Sequence, residues 1–389
     1  MLFPSSAGLN IDANDNVFQS WSVLSPASSD IRGPLNMSAR ARPYTHITAR
    51  IHHYTSCGRP PVRSIHVCVP FPEIASALTT SRVRLHLQRH DGWPTKEPGS
   101  DRVEFYAMPH PPSASSFDAL VALPHLRVIQ LLTSGVDQAL PRIPAHLIVC
   151  NAPSLHSQAT AEAAMTHILA VLADVVTWVG AQRERRWATL GPRKSLAGSH
   201  ALLVGYGHVG KALHAMLRGF DVSVVPMART QHPGVAAISE LHRWLPTADI
   251  VVVSAPLTTA TRGLIGASEL VLMKSGAVLV NVSRGAVVDT AALERELRQR
   301  RLYAALDVTD PEPLPSDHPL WTCPQLLISP HVGGNTSGFR ERAATFLRKQ
   351  IEKYASGAGL EYIVRGPRKA DGGPGSTSRG LDSALFRRS

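Results

Sequence analysis

An α/β chain built on a parallel sheet, with helices covering both faces, is predicted by three features of the sequence. Short continuous apolar runs recur through residues 201–328, each parted from the next by a helical stretch. Strands without a polar face that alternate with helices belong to parallel sheets, because crossover helices cover both sides. One run, Ala201-Leu202-Leu203-Val204, leads straight into a glycine pattern that opens a helix. The composition agrees: 44% of the 389 residues are hydrophobic and 18% charged, which excludes wholesale disorder. At a usual domain size of about 150 residues, the length suggests two domains with tails.

Residues 1–60 scatter Ser, Pro, Asn and Arg without a sustained period and are expected to be an irregular extension. Ile65-His66-Val67-Cys68-Val69-Pro70 reads as a strand stopped by proline. Leu126–Leu132 reads as another, ending at Thr133-Ser134-Gly135. Asn151-Ala152-Pro153 is a turn, and a helix is expected over Ser157–Val179. The polar residues 183–198 connect it to the next strand. Further strands are expected at Ala201–Val204, Val222–Val225, Ile250–Val253, Ala277–Val280, Ala304–Leu306 and Leu326–Ile328. A turn at Gly205–Gly210 and a helix at Lys211–Gly219 follow the first of these. A last helix, Ser337–Ala355, precedes residues 364–389, rich in Gly, Pro, Ser and Arg and expected to be a disordered tail.

Forty basic residues against 29 acidic ones give a net charge of +11. Nucleic acid is not the expected partner, because the excess is dispersed. Arg365, Arg368, Lys369, Arg379, Arg387 and Arg388 face only Asp371 and Asp382 in the tail, and no basic-aromatic stripe lies elsewhere. Cys57, Cys68, Cys150 and Cys323 form no CxxC pair, so neither a disulfide framework nor a metal site is expected. A reducing compartment, the cytoplasm, is the default. The apolar stretch Ala163–Val179 contains His167 and Asp174 and falls short of the roughly 20 residues a membrane span needs. It reads as a buried helix, and no membrane association is expected.

Gly205-Tyr206-Gly207-His208-Val209-Gly210 has the strand-turn-helix context that a dinucleotide-binding loop requires. Gly205 makes the tight turn, Gly207 lets the backbone approach a pyrophosphate, and Gly210 lets the helix pack on the strand. The helix N-terminus offers N–H groups and a positive dipole end. A plain strand-to-helix turn is the alternative. NAD sites carry a carboxylate about 20 residues further on. Here Val225-Pro226-Met227-Ala228-Arg229-Thr230 has none. Arg229 and Thr230 suit a 2′-phosphate, so NADP(H) is favoured over NAD(H), unless Arg229 is only a solvated loop residue. Asn281–Asp289, Asp307–Pro313 and Ser329–Gly334 each follow a strand directly. Ligands bind at the carboxyl ends of parallel strands, so Arg284, Glu312 and His331 are expected at one edge. Each alone is an ordinary surface residue; together they suggest a site.

With Thr133-Ser134-Gly135-Val136-Asp137, Ala161-Glu162, Leu196-Ala197-Gly198, Ala255-Pro256-Leu257-Thr258 and His318-Pro319-Leu320-Trp321, these segments stand in an order that resembles the D-isomer-specific 2-hydroxyacid dehydrogenases. That family includes glyoxylate/hydroxypyruvate reductases and phosphoglycerate dehydrogenases. The resemblance runs from about Leu126 to Tyr354, is weak over 61–125 and absent from 1–60 and 364–389. It implies two Rossmann-like domains with parallel sheets. The substrate (catalytic) domain, 61–153 and 335–363, would be discontinuous around an inserted NAD(P)-binding domain, 154–334.

The resemblance also implies roles. Arg284 would clamp the substrate carboxylate and polarise the adjoining carbonyl, since a guanidinium stays charged and bonds bidentately. His331 would be the acid in reduction and the base in reverse, and Glu312 would orient it and favour its protonated form. Asp307 would sit near the nicotinamide, and the N–H groups of Ser134 and Gly135 would help hold the carboxylate. Cofactor contacts would come from Gly205–Gly210, Arg229, Thr230, Pro256, Val282, Ser283 and Asp307. Members usually dimerise through the helix corresponding to Ser157–Val179, so a homodimer is expected. The chain departs from the family at Ala173-Asp174-Val175, where many members carry an arginine.

The implied activity is NAD(P)H-dependent reduction of a small 2-oxoacid to the D-2-hydroxyacid, and the reverse. Two other readings share the fold. A dinucleotide-sensing, corepressor-like scaffold would need little turnover, and the intact Arg284, Glu312 and His331 weigh against it. Formate enzymes usually carry glutamine in place of Glu312. A regulatory domain of the phosphoglycerate dehydrogenase kind is not expected from a tail of 26 residues.

Overall fold

The computed structural model describes residues 64–73, 83–87, 98–189 and 191–366; the expectations for residues 1–60 and for the tail beyond 366 lie outside them. One sheet has six strands: β1 (Ile65–Val69), β2 (Val83–Leu87), β3 (Phe105–Ala107), β4 (Val128–Gln130), β5 (Ile148–Cys150) and β13 (Ile363–Arg365). Their order is β13-β5-β4-β3-β1-β2. The other has seven: β6 (His200–Val204), β7 (Ser223–Ala228), β8 (Ala236–Ala237), β9 (Ile250–Val253), β10 (Val278–Asn281), β11 (Tyr303–Leu306) and β12 (Leu326–Ile328). Their order is β12-β11-β10-β9-β6-β7-β8. The antiparallel contact of β13 with β5 is the exception among otherwise parallel strand pairs.

Counted in chain order, the seven-stranded sheet runs 3-2-1-4-5-6-7 and the parallel part of the other 2-1-3-4-5. Both are doubly wound orders. Each reverses direction once, between β6 and β9 and between β1 and β3, and a crevice opens there at the carboxyl ends of the strands.

The strand sequences explain the layers. β9 is buried throughout, and its alternate residues face opposite sides. Val251 and Val253 pack with Leu202, Leu279 and α7 (Thr290–Arg298). Ile250 and Val252 pack with Leu203, Val280 and α2 (Ser157–Ala173). The six-stranded sheet is covered on one face by α1 (Ala114–Ala122) through Phe117 and Leu120. On the other face α8 (Phe339–Ser356) buries Ala343, Leu347 and Ile351 against Val67, Phe105 and Val128.

Four expectations need correction. The helix expected over Ser157–Val179 is two helices, α2 and α3 (Val175–Arg183), bent by 66°. Asp174 between them has φ 60°, ψ 42°, a left-handed conformation that aspartate tolerates better than most residues. Its carboxylate accepts the Thr177 hydroxyl at 2.7 Å. The helix expected from Lys211 is α4 (His208–Arg218), which starts inside the glycine pattern. Strand β7 continues past Val225 through Pro226. Met227 O accepts the Gly205 N–H, so Pro226 points to the outer edge, where a missing N–H costs no ladder bond. Finally, residues 363–365 are not tail. They pair with β5, and the Arg365 guanidinium donates to carbonyl oxygens of Leu140, Ile143, Pro144 and Leu147. Among the described residues, no single helix is long and apolar enough to cross a membrane.

Candidate active site

The glycine loop follows β6. Gly205 has φ +108°, and a Cβ there would stand 2.6 Å from the Ala255 nitrogen. A Cβ on Gly210 would overlap the Gly205 carbonyl oxygen. Gly207 caps α4 without any side-chain cap, and a Cβ on it would meet nothing within 4 Å. The first turn of α4 holds no acidic residue. Arg229 and Thr230 are exposed just after β7, and Pro256 is exposed after β9. This set fits a dinucleotide: an open helix N-terminus for the pyrophosphate, with a guanidinium near the ribose end.

Other members of the expected cofactor set have side chains bonded or packed within the protein. Tyr206 Oη lies 2.7 Å from Nδ1 of His214 in α4, so its ring lies along the helix; burial and then Arg218 lower the His214 pKa. The exposed His208 ring lies 6.3 Å from Tyr362, while Val209 packs against the core. Val282 is buried and its N–H donates to Val253 O. Ser283 gives both its N–H and its hydroxyl to Asn281 Oδ1, at 3.0 and 2.8 Å. The N–H groups of Val282 and Ser283 and the Ser283 hydroxyl hydrogen are therefore bonded inside the protein.

The same local bonds set Arg284. Asn281 is fully buried, and its amide also donates to Arg284 O at 2.9 Å, folding the chain back after β10. The guanidinium reaches the loop after β4. Its Nε lies 3.3 Å from both carboxylate oxygens of Asp137, and Nη1 donates to Ser283 O at 2.7 Å. Nη2 lies against Gly135, where any Cβ would overlap it. Ser134 is anchored beside it: its hydroxyl donates to Pro153 O, and its carbonyl accepts the Asn151 amide. Among the described residues, the N–H groups of Ser134 and Gly135 have no backbone partner. The carboxyl edges of the two sheets thus meet at Arg284.

His331 and Glu312 come together after β12 and β11. Nδ1 of His331 lies 2.5 Å from Glu312 Oε1, with the two side chains 43% and 30% exposed. Such a bond leaves Nε2 as the nitrogen open to a ligand. Asp307, expected beside the nicotinamide, holds the loop. Its Oδ1 accepts the Val332 N–H at 3.0 Å and its Oδ2 the Gly333 N–H at 2.9 Å. Its carbonyl accepts the His331 N–H at 2.8 Å.

Two further histidines line the facing edge. His156 has Nε2 at 2.8 Å from Leu132 O and Nδ1 at 3.1 Å from Gly334 O, and a neutral ring, with one N–H, donates to one of the two. Its ring stacks on Phe339, and His110 lies 5.1 Å from it. Desolvation by the surrounding walls, then His156 and His331, push the His110 pKa down from 6.5 to about 4. His110 is therefore neutral at pH 7. Asp137, Asn281, His110 and His156 were not among the expected site residues; only the places of Asp137 in Thr133–Asp137 and of Asn281 in Asn281–Asp289 hinted at two of them. Burial pushes the Cys150 thiol up to about 12, so it is no nucleophile. Among the described residues, no group of three or more His, Cys, Asp or Glu is placed to hold a metal ion.

The family model for the D-isomer specific 2-hydroxyacid dehydrogenase NAD binding domain matches residues 165–333. A glyoxylate reductase of Thermococcus litoralis is 31% identical over 258 residues, which are 60% of this chain and 75% of that one. A D-3-phosphoglycerate dehydrogenase of Methanocaldococcus jannaschii is 29% identical over 264 residues, 64% of this chain and 49% of that longer relative. A D-isomer specific 2-hydroxyacid dehydrogenase of Xanthobacter autotrophicus Py2, solved in complex with NADPH and MES, superposes with a TM-score of 0.65. It is 29% identical, and the match covers 79% of this chain and 99% of that one.

Proposed function

Because this chain belongs to the D-isomer-specific 2-hydroxyacid dehydrogenase family, we propose that it reduces a small 2-oxoacid to the D-2-hydroxyacid with NADPH, and catalyses the reverse. The observation that carries this reading is the 2.5 Å His331–Glu312 pair, standing at the same strand ends as Arg284. When bound, the nicotinamide supplies or takes up the hydride; the protein positions, polarises and moves the proton.

Arg284 binds the substrate carboxylate. Asp137 and Ser283 O hold its plane, and Nη2 faces the carboxylate beside the N–H groups of Ser134 and Gly135. Its positive charge also stabilises the negative charge that develops on the adjoining carbonyl oxygen. His331 gives that oxygen a proton from Nε2 and is left neutral, with Nδ1–H on Glu312. Glu312 fixes the ring and stabilises the charged imidazolium before transfer. In oxidation the same nitrogen takes the hydroxyl proton back.

Arg229 and Thr230 favour NADP(H), in keeping with the NADPH held by the Xanthobacter relative. The working unit is a homodimer joined through α2 and α3, whose Leu169, Val176, Trp178 and Val179 are exposed. A reducing compartment, the cytoplasm, suits Cys150 and Cys323, which are buried and in no disulfide among the described residues.

The test is initial-rate oxidation of NADPH and NADH with glyoxylate, hydroxypyruvate and phenylpyruvate, beside Arg284→Ala. Turnover by the wild type that the variant loses, with NADPH preferred, is the expected result. Tight NADPH binding without turnover on any 2-oxoacid overturns the reading and favours a sensor.

A further inference from the structure

His331 stands on left-handed backbone, φ +52°, a conformation that residues with a side chain adopt only when the surroundings impose it. The imposing group is Asp307, which accepts three consecutive N–H groups, those of His331, Val332 and Gly333. Asp307 is itself held by the Ser329 hydroxyl, whose hydrogen goes to Oδ1 at 2.6 Å. A hydroxyl has one hydrogen, so toward its next neighbour Ser329 is an acceptor. That neighbour is Nε2 of His167, at 2.9 Å.

His167 belongs to α2, which packs against β10, β11 and β12. It is 5% exposed and sits on the apolar face of that helix with Ala164 and Ile168. Burial lowers its pKa, an effect that Asp307 partly offsets, so the ring is neutral with its hydrogen on Nε2. Its Nδ1 is buried without a hydrogen-bond partner. An unpartnered nitrogen in an apolar core is unfavourable, and an aliphatic side chain of similar size would avoid it. What histidine adds at this position is the Nε2 donor.

We propose that His167 is a positioning residue for the reaction: through Ser329 and Asp307 it holds the 331–333 loop, and with it the imidazole that exchanges the substrate proton. This rests on the function proposed above. The chain of bonds is His167 Nε2–H to Ser329 Oγ, Ser329 O–H to Asp307 Oδ1, and Asp307 to the loop amides.

His167→Leu removes the donor and keeps the bulk, whereas His167→Gln places an amide donor at nearly the same reach. Expected for His167→Leu is a kcat about tenfold or more below wild type, since small displacements at the reacting atoms are costly. KM for the 2-oxoacid and the Kd for NADPH should stay within about twofold. His167→Gln should recover most of the loss, and Ser329→Ala should match His167→Leu without the two losses multiplying in the double variant. Wild-type kcat in His167→Leu overturns the proposal. So does a loss that His167→Gln fails to restore, which would mark a packing role. If the wild type itself turns over no 2-oxoacid, the proposed function fails, and amide exchange then decides this inference alone. Faster exchange at Val332 and Gly333 in His167→Leu and Ser329→Ala, but not in His167→Gln, supports it; unchanged exchange overturns it.

Discussion

The carboxyl edges of the two sheets are built to different plans. The loops after β10, β11 and β12 carry Arg284, Asp307, Glu312 and His331; His331 is bonded to Glu312, and Asp307 to the 331–333 loop. The loops after β3, β4 and β5 carry His110, Ser134, Gly135 and His156, with Asp137 the acidic member. On the proposed reading, the groups that handle proton and charge share one sheet, with Arg284 braced across to Asp137 on the other. The second edge supplies backbone donors and uncharged walls. Chemistry and selection are thereby divided between two separately packed cores.

Changes on the seven-stranded edge should break this division most visibly. His331→Gln removes the acid and should lower kcat roughly 10³-fold with NADPH affinity unchanged, as steady-state rates and a fluorescence titration would show. Near-normal turnover would move the proton donor elsewhere. Glu312→Gln keeps the shape but loses the charge beside Nδ1, and a fall of about 10- to 100-fold in kcat is expected. An unchanged rate would reduce Glu312 to a spacer. Arg229→Ala should weaken NADPH about tenfold while leaving NADH untouched; equal weakening of both would remove the 2′-phosphate argument.

On the six-stranded edge the expected effect is smaller and concerns stability. Folded His110 has a pKa of about 4 against an ordinary 6.5, so between those values the unfolded chain binds a proton that the folded chain refuses. Its contribution is full above pH 6.5 and is lost as the pH falls toward 4. His110→Gln should flatten that part of the slope when urea midpoints at about pH 7 and about pH 5 are compared. Parallel slopes in the two proteins would show that His110 carries no such linkage.

Six strands of the seven-stranded sheet were legible as short apolar runs; β9 and β12 lie where the apolar pattern places them, whereas the two-residue β8 was not expected. Strands β3 and β5 have three residues each, too few to show a period. Strand β13 exists because Arg365 and β5, more than 200 residues earlier, hold it. Arg284, Glu312 and His331 were legible because each directly follows a strand. The pairing of Arg284 with Asp137, 147 residues away, has no local signature. Nor has the bond from His167 to Ser329, because a histidine inside an apolar helix looks like filler.

The last helix and β13 also set an order of events during synthesis. Strands β1 to β5 leave the ribosome by Cys150, but their sheet lacks one covering face until Ala343, Leu347 and Ile351 have been made. At about 5–20 residues per second, that interval lasts roughly 10–40 s. Throughout it, Val67, Phe105 and Val128 are without the helix that covers them. The seven-stranded sheet, contiguous from His200 to Ile328, has all its strands before that helix emerges. All strands of the seven-stranded sheet are therefore synthesised before the helix that covers the sheet translated earlier.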